Sequence, residues 1–214
     1  MNREPFEVGE FYHIYNHAVE NRNIFGDEYD SQRFLDSIRV FNTLEPVGAL
    51  FLENNINRGE TPETKLVNVV SYCLNPNHIH LLLEEVHSGG ISEFMKRVGG
   101  GYTVYFNNKY KRKGSLFRGV FKSVWVSTDE YLLYLSAYIN LNFKVHDLSE
   151  ELLPLVRSSW NEYSSGKKKQ ISHTEPILKH FKNKEAYIKY SEESLILMLE
   201  KKNSDKQLRY LAID

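Results

Sequence analysis

The stretch that decides the fold is LVNVVSYCLNPNHIHLLLE, residues 66–84. It contains two apolar runs, 66–74 and 78–84, on either side of Asn75-Pro76-Asn77. Asn and Pro supply the backbone dihedral angles that tight turns require, and the two runs have the length and composition of strands. The stretch therefore predicts a β-hairpin.

Three segments next to the hairpin predict further elements. Residues 10–16 alternate apolar and polar side chains, which is typical of a half-buried strand. Asp30 is expected to cap a helix whose apolar residues follow at helical spacing up to Phe41. Residues 91–110 also show helical spacing, but glycine costs a helix about 1 kcal/mol relative to alanine. The three glycines at 99–101 therefore predict that this helix is broken or weakened there.

The remaining elements complete a known order. Residues 119–126 predict a strand, and residues 127–130, Ser-Thr-Asp-Glu, form a capping box that begins a helix through about Asn142. The order β-α-β-β-α-β predicts an α+β, ferredoxin-like fold, with an antiparallel sheet and helices on one face. We expect this domain to span residues 8–145, followed by a C-terminal helical extension over 146–214.

The composition excludes several classes of protein. The 214 residues are 41% apolar and 26% charged, which is ordinary for a soluble globular chain. No run approaches the roughly 20 apolar residues of a bilayer span, and the single cysteine, Cys73, cannot form an internal disulfide. We therefore expect a cytoplasmic protein without a membrane partner.

The formal net charge of −1 conceals a basic stretch, which we define as residues 94–128. The stretch contains no Asp or Glu and interleaves its cations with aromatic residues. Its eight basic residues are Lys96, Arg97, Lys109, Lys111, Arg112, Lys113, Arg118 and Lys122. Cations that contact phosphates and rings on which bases stack are typical of a groove for single-stranded nucleic acid. The alternative is a solvated helix face whose rings belong to the core.

Two small groups of residues could carry chemistry. His78 and His80 lie two apart in a predicted strand, so both imidazoles can bind one metal ion or can be hydrogen-bonded histidines of a half-buried sheet. In the helix predicted to follow the capping box at residues 127–130, Tyr138 and Asn142 are one turn apart. Here the alternative is an aromatic core stripe that includes Tyr131 and Tyr134.

Four blocks of the sequence resemble a known family, the single-tyrosine HUH transposases of the insertion-sequence-200-like group, and among them the REP-associated tyrosine transposases. The blocks are residues 12–16 (YHIYN), 75–82 (NPNHIHLL), 114–123 (GSLFRGVFKS) and 129–142 (DEYLLYLSAYINLN). Phe143 stands where REP-associated members usually carry proline, and the glycines at 99–101 are a second departure from the family pattern.

The resemblance implies an enzyme that cuts and rejoins single-stranded DNA, near a folded hairpin, through a 5′-phosphotyrosine. It implies that Tyr138 is the nucleophile and that His78, His80 and Asn142 hold a divalent ion, Mg²⁺ or Mn²⁺. Family members include both monomers and homodimers, so both states stay open.

Two other functions are compatible with these residues. The chain could be a catalytically inactive protein that binds single-stranded nucleic acid through the basic stretch. It could also be an unrelated metal-dependent phosphoesterase, but such enzymes usually supply several carboxylates, and no such cluster accompanies His78 and His80.

Overall fold

The computed structural model describes residues 5–46, 64–146, 148–165 and 170–211, with only the backbone of residues 205–211. The sequence also predicts loops at residues 59–65 and 164–169, which lie mostly outside these ranges. The five strands are β1 (Phe11–His17), β2 (Val67–Asn75), β3 (His78–Glu85), β4 (Lys122–Val126) and β5 (Arg157–Ser158). The helices are α1 (Glu28–Val40), α2 (Gly90–Lys109), α3 (Asp129–Asn140), α4 (Asn142–Val145), α5 (Trp160–Ser164), α6 (Glu175–Leu178) and α7 (Lys184–Leu211).

The strands form one antiparallel sheet in the order β4-β1-β3-β2-β5. The predicted hairpin is β2–β3, and the predicted first strand is β1, which pairs with β3. In this pairing Tyr15 lies opposite His80, and His17 lies opposite His78. The α+β fold with an antiparallel sheet is confirmed. Among the described residues, no helix is long and apolar enough to cross a membrane.

One face of the sheet packs against α1 and α2, and we call it the apolar face. Ile79, Leu81 and Leu83 of β3 lie in one buried cluster with Phe34 of α1 and Phe94 of α2. Each of these five side chains is 2% exposed or less. The apolar face is therefore the main hydrophobic core, and it follows directly from the alternation of side chains along β3.

The opposite face, which we call the histidine face, is covered by α3 and by the residues that follow it. Leu82 of β3 packs there in a second cluster with Leu135 of α3 and Tyr187 of α7. The expectation of helices on one face therefore holds for α1 and α2, whereas α3 and α7 cover the other side. The division at residue 145 stays a prediction, although β5 adds a fifth strand to the sheet from beyond that point.

Two local predictions need correction. A break at residues 99–101 is wrong, because helix α2 is continuous from Gly90 to Lys109 and its other residues supply an apolar face that packs on the sheet. The alternative, that the glycines weaken the helix, stays a prediction. Helix α1 begins at Glu28, and its cap is Asp27, whose carboxylate accepts from the Asp30 amide at 2.8 Å. Asp30 lies inside the first turn, fully buried, where it accepts hydrogen bonds from the Tyr105 and Tyr110 hydroxyls at 2.7 Å each.

Candidate metal centre and tyrosine site

Strand β3 places His78 and His80 side by side on the histidine face. They alternate with Ile79, which points to the apolar face. The two imidazole centroids are 5.1 Å apart, and the residues are 4% and 6% exposed. The strand therefore brings both imidazoles to one buried position, as their spacing predicted.

Asn142 reaches the same position from just beyond the helix that carries Tyr138. Helix α3 ends at Asn140, and Asn142 begins the short helix α4. The Asn142 side chain is fully buried, and its Oδ1 lies 3.3 Å from His78 Nε2. Asn75 Nδ2 donates to both atoms, at 2.8 Å to Asn142 Oδ1 and 3.0 Å to His78 Nε2. The Asn75 amide group, whose hydrogens carry partial positive charge, thus contacts two acceptor atoms, His78 Nε2 and Asn142 Oδ1, that face each other.

This arrangement fits a divalent cation. His78 Nδ1 donates to Asn77 Oδ1 at 2.7 Å, so in the neutral ring Nε2 carries the lone pair. No group of three or more His, Cys, Asp or Glu within the described ranges could hold a metal, so an ion here depends on the Asn142 amide oxygen. Two imidazoles with one amide oxygen form a mixed nitrogen and oxygen donor set, which suits Mn²⁺ and Mg²⁺.

Among the three candidate tyrosines of α3, Tyr138 lies next to the histidines. Its ring centroid is 5.8 Å from that of His80 and 6.4 Å from that of His13, in edge-on arrangements. Tyr131 and Tyr134 are 36% and 38% exposed, so the two do not form a core stripe. The structure therefore brings together all four residues that the resemblance singled out.

Burial controls the protonation of this site. It lowers the pKa of His78 to about 4, helped by nearby His146 and opposed by Asn142. The pKa of His80 lies well below its ordinary value, first because of burial and then because of the neighbouring histidines. Burial also raises the pKa of the Tyr138 hydroxyl, while Asn142 opposes that rise. At neutral pH both imidazoles are therefore free of an extra proton and can act as ligands, and the phenol is protonated.

Sequence reasoning missed three further histidines of this site. The His13 ring lies edge to edge with the His80 ring, with Nε2 of His13 2.8 Å from Nδ1 of His80, and the His17 ring stacks on His78 with centroids 5.1 Å apart. His146 lies edge-on to His78 at 4.6 Å. The alternation of residues 10–16 could have placed His13 and Tyr15 on one face. The pairing of β1 with β3, which brings His13 to His80, is not readable from the sequence.

The basic stretch divides into two groups. Four cations are engaged within the protein: Lys109 with Asp27 and Asp30, Arg97 with Glu93 and two backbone carbonyls, Arg112 with Asn107 and the Ser115 carbonyl, and Arg118 with Asn21 and the Ala18 carbonyl. The other four, Lys96, Lys111, Lys113 and Lys122, are exposed, and of these Lys96 also forms an ion pair with Glu93 at 3.3 Å. Several rings of the stretch, including Tyr102 and Phe106, belong to the core. The stretch is therefore partly structural.

A cavity of about 510 Å³ lies between α2 and the loop before β4. Met95, Lys96, Gly99 and Gly100 line its helix side, and Ile79 lines it from the sheet. Because Ile79 points to the apolar face, the cavity lies on the side of the sheet away from the histidines.

Comparisons with solved structures and with a family model show which proteins this chain is similar to. One solved structure, of a REP-associated tyrosine transposase bound to a REP hairpin, covers 79% of this chain and 87% of its own, with 11% identity and a TM-score of 0.49. A second, of a protein of Deinococcus radiodurans R1 assigned as a transposase, covers 65% and 95%, with 16% identity and a TM-score of 0.38. No curated protein gave a significant match. Residues 58–142 match the family model described as IS200-like transposase. Over these residues the chain is therefore similar to the IS200-like transposases, which confirms the resemblance that its motifs predicted.

Proposed function

We propose that this protein is a DNA strand transferase that cleaves and rejoins single-stranded DNA through a 5′-phosphotyrosine on Tyr138. The observation that carries the proposal is the position of the Tyr138 ring, 5.8 Å from His80, beside two acceptors that face each other, His78 Nε2 and Asn142 Oδ1. A nucleophile next to a site that favours cations is the arrangement that attack on a charged phosphodiester requires.

The proposed step exchanges one phosphoester for another. The Tyr138 hydroxyl oxygen forms a bond to phosphorus, and the bond between phosphorus and the 3′ oxygen breaks. The phenolic proton leaves the tyrosine, and the 3′ oxygen gains a proton to become a 3′-OH. Because the phosphoester is retained, a second 3′-OH can reverse the reaction without an external energy source.

The residues of the site have separate roles in this step. His78, His80 and Asn142 would hold a divalent ion, Mg²⁺ or Mn²⁺, which when bound would polarise the scissile phosphate and stabilise the leaving 3′ oxygen. The Tyr138 phenol is protonated at neutral pH, because burial raises its pKa, so the proton has to be lost as the bond to phosphorus forms.

We propose that the DNA contacts the exposed part of the basic stretch. Lys96 is 79% exposed at the cavity, and Lys111 and Lys113 are exposed in the turn after α2. Lys122 Nζ lies 6.0 Å from the centroid of the Tyr15 ring, on the histidine face. Trp125, 57% exposed on edge strand β4, offers a ring on which a base can stack. If these four lysines neutralise four phosphates, log K falls with log salt at a slope of about −3.

The test uses a panel of single-stranded oligonucleotides with and without hairpins, in Mg²⁺ or Mn²⁺, analysed for a covalent adduct on denaturing gels. We expect an adduct with the wild-type protein, and none with Tyr138→Phe, which removes one oxygen and preserves the ring. Tyr134→Phe is the matched control on the same helix and should form the adduct normally. Binding without an adduct on any oligonucleotide would instead favour a catalytically inactive nucleic-acid-binding protein.

A further inference from the structure

We infer that His13 is a positioning residue that selects the metal-binding form of His80. The inference rests on the proposed metal site and adds a residue from strand β1 to it. His13 Nε2 and His80 Nδ1 are 2.8 Å apart and share a hydrogen bond. The angle between the two ring planes is 20°, and the ring centroids are 5.1 Å apart.

A neutral imidazole carries one proton, and two tautomers of the pair satisfy this bond. In the first, His80 Nδ1–H donates to the lone pair of His13 Nε2. The remaining nitrogen of His80, Nε2, then presents a lone pair and can bind a metal. In the second, His13 Nε2–H donates to His80 Nδ1, so His80 Nε2 carries the proton and cannot bind. Metal binding through Nε2 therefore requires His13 to be the acceptor.

His78 also makes a hydrogen bond through its Nδ1, but with a different partner. Its Nδ1 donates to the Asn77 amide oxygen at 2.7 Å, which leaves Nε2 for the metal. An amide oxygen only accepts, so Asn77 permits one tautomer of His78, whereas His13 can either donate or accept. The His80 side of the site is thus the less constrained side, and its state depends on His13.

Burial makes His13 hard to replace by water. His13 and His80 are 8% and 6% exposed, and β1 lies directly beside β3 in the sheet. If the His13 side chain were shortened or made apolar, His80 Nδ1 would have no acceptor in its place. Partners of this kind orient metal-binding histidines, and their loss typically weakens metal affinity about 10- to 100-fold.

The experiment measures Mn²⁺ binding to the full chain without DNA, by the loss of the free-ion electron paramagnetic resonance signal. The variants are His13→Leu, which removes the acceptor, and His13→Gln, whose amide oxygen can accept from His80 Nδ1. His180→Leu is the control, because it makes the same change at an exposed histidine outside the site. Circular dichroism verifies folding, and His13→Asn, with its shorter side chain, replaces His13→Leu if that variant does not fold.

We expect His13→Leu to bind Mn²⁺ about 10- to 100-fold more weakly, His13→Gln to recover most of this loss, and His180→Leu to bind within about 3-fold of wild type. Adduct formation by His13→Leu should recover at saturating Mn²⁺, which a general loss of structure would not allow. Wild-type affinity in His13→Leu, with binding lost in His80→Ala, would overturn the role of His13 and leave the metal site standing. No Mn²⁺ binding by the wild-type protein would overturn both.

Discussion

The two faces of the sheet use alternate residues of the same strands for different purposes. On the apolar face, Ile79 and Leu81 pack against Phe34 and Phe94 with no more than 2% exposure. On the histidine face, the residues between and beside them, His78 and His80, lie against polar groups and Tyr138. One strand thus supplies both the core and the candidate site.

The difference shows how a small domain can carry buried polar chemistry. Many buried polar groups of the histidine face make hydrogen bonds that span distant parts of the chain, although Asn142 Nδ2 has no partner among the described residues. Tyr187 of α7 is fully buried, shares a hydrogen bond with Ser136 at 2.9 Å and accepts one from Asn140 at 2.8 Å. Ser136 and Asn140 flank Tyr138 in α3, so the C-terminal residues hold the tyrosine helix against the sheet.

The largest expected effect distinguishes His80, on the histidine face, from its neighbour Leu81, on the apolar face. We predict that His80→Ala lowers the rate of adduct formation by about 10³-fold, because the proposed ion supplies several kcal/mol of charge stabilisation, and changes DNA affinity by less than about 3-fold. Leu81→Ala should lower the free energy of unfolding by about 2–5 kcal/mol through the cavity that it leaves. Its folded fraction should form the adduct at the wild-type rate. Denaturant unfolding and gel assays measure both quantities, and equal loss of binding and cleavage in His80→Ala would show that this histidine is structural.

The second prediction concerns pH. The pKa of His13 and of His78 is about 4 in the folded protein and 6.5 in the unfolded chain. Below pH 6.5 the unfolded chain therefore binds more protons than the folded protein. Stability is fully present above pH 6.5 and is lost as the pH falls toward 4, by up to about 3 kcal/mol for each histidine.

Urea unfolding in EDTA at pH 7, 5.5 and 4.5 measures this loss. His13→Gln should reduce the pH dependence, because it removes one of the groups that titrate. His180→Gln, a substitution of an exposed histidine, should leave it unchanged. The same pH dependence in both variants would place the titrating groups outside the histidine face.

The third prediction tests the contact between α7 and the tyrosine helix. Tyr187→Phe keeps the buried ring but leaves Asn140 Nδ2 without the hydroxyl to which it donates. We expect a loss of about 1–3 kcal/mol in the free energy of unfolding. Tyr134→Phe, which removes a hydroxyl from a 38% exposed tyrosine, should change it by less than about 0.5 kcal/mol. Equal effects of the two substitutions would show that the buried network does not hold α3.

The smallest effect concerns the glycines of α2 on the apolar face. A Cβ added at Gly99 or Gly100 meets no atom within 4 Å, whereas one at Gly101 meets Phe41 at 2.9 Å. Gly100→Ala should therefore raise the free energy of unfolding by about 1 kcal/mol, and Gly101→Ala should not.

If DNA enters the cavity beside Gly100, the same substitution should weaken binding of single-stranded oligonucleotides. Val104→Ala, at a 60% exposed position of α2, is the control for helix propensity and should leave DNA affinity unchanged. Filter-binding titrations measure the affinity. Unchanged DNA affinity in Gly100→Ala would remove the cavity from the proposed DNA surface.

The sequence predicted the elements whose signals are local. Turn residues 75–77 and the apolar runs beside them predicted the β2–β3 hairpin, and alternation along β3 placed both histidines on one face. The capping box predicted at residues 127–130 marked the start of α3, where the structure shows that the cap is Thr128. The prediction of a break at Gly99–Gly101 failed because helix propensity weighs less than the packing of α2 on the sheet.

What the sequence alone determined was which residue types stand at which spacing: His78 beside His80, and Tyr138 four residues before Asn142. The tertiary structure decided which of them meet. The register of β1 against β3 brings His13 to His80, and the packing of α3 and α4 on the sheet brings the Asn142 oxygen to His78. The tertiary structure also decided which basic side chains form hydrogen bonds or ion pairs inside the protein: Arg97, Lys109, Arg112 and Arg118. These contacts join residues up to 100 positions apart, and local periodicity carries no information about such pairs because they form only when separate elements pack.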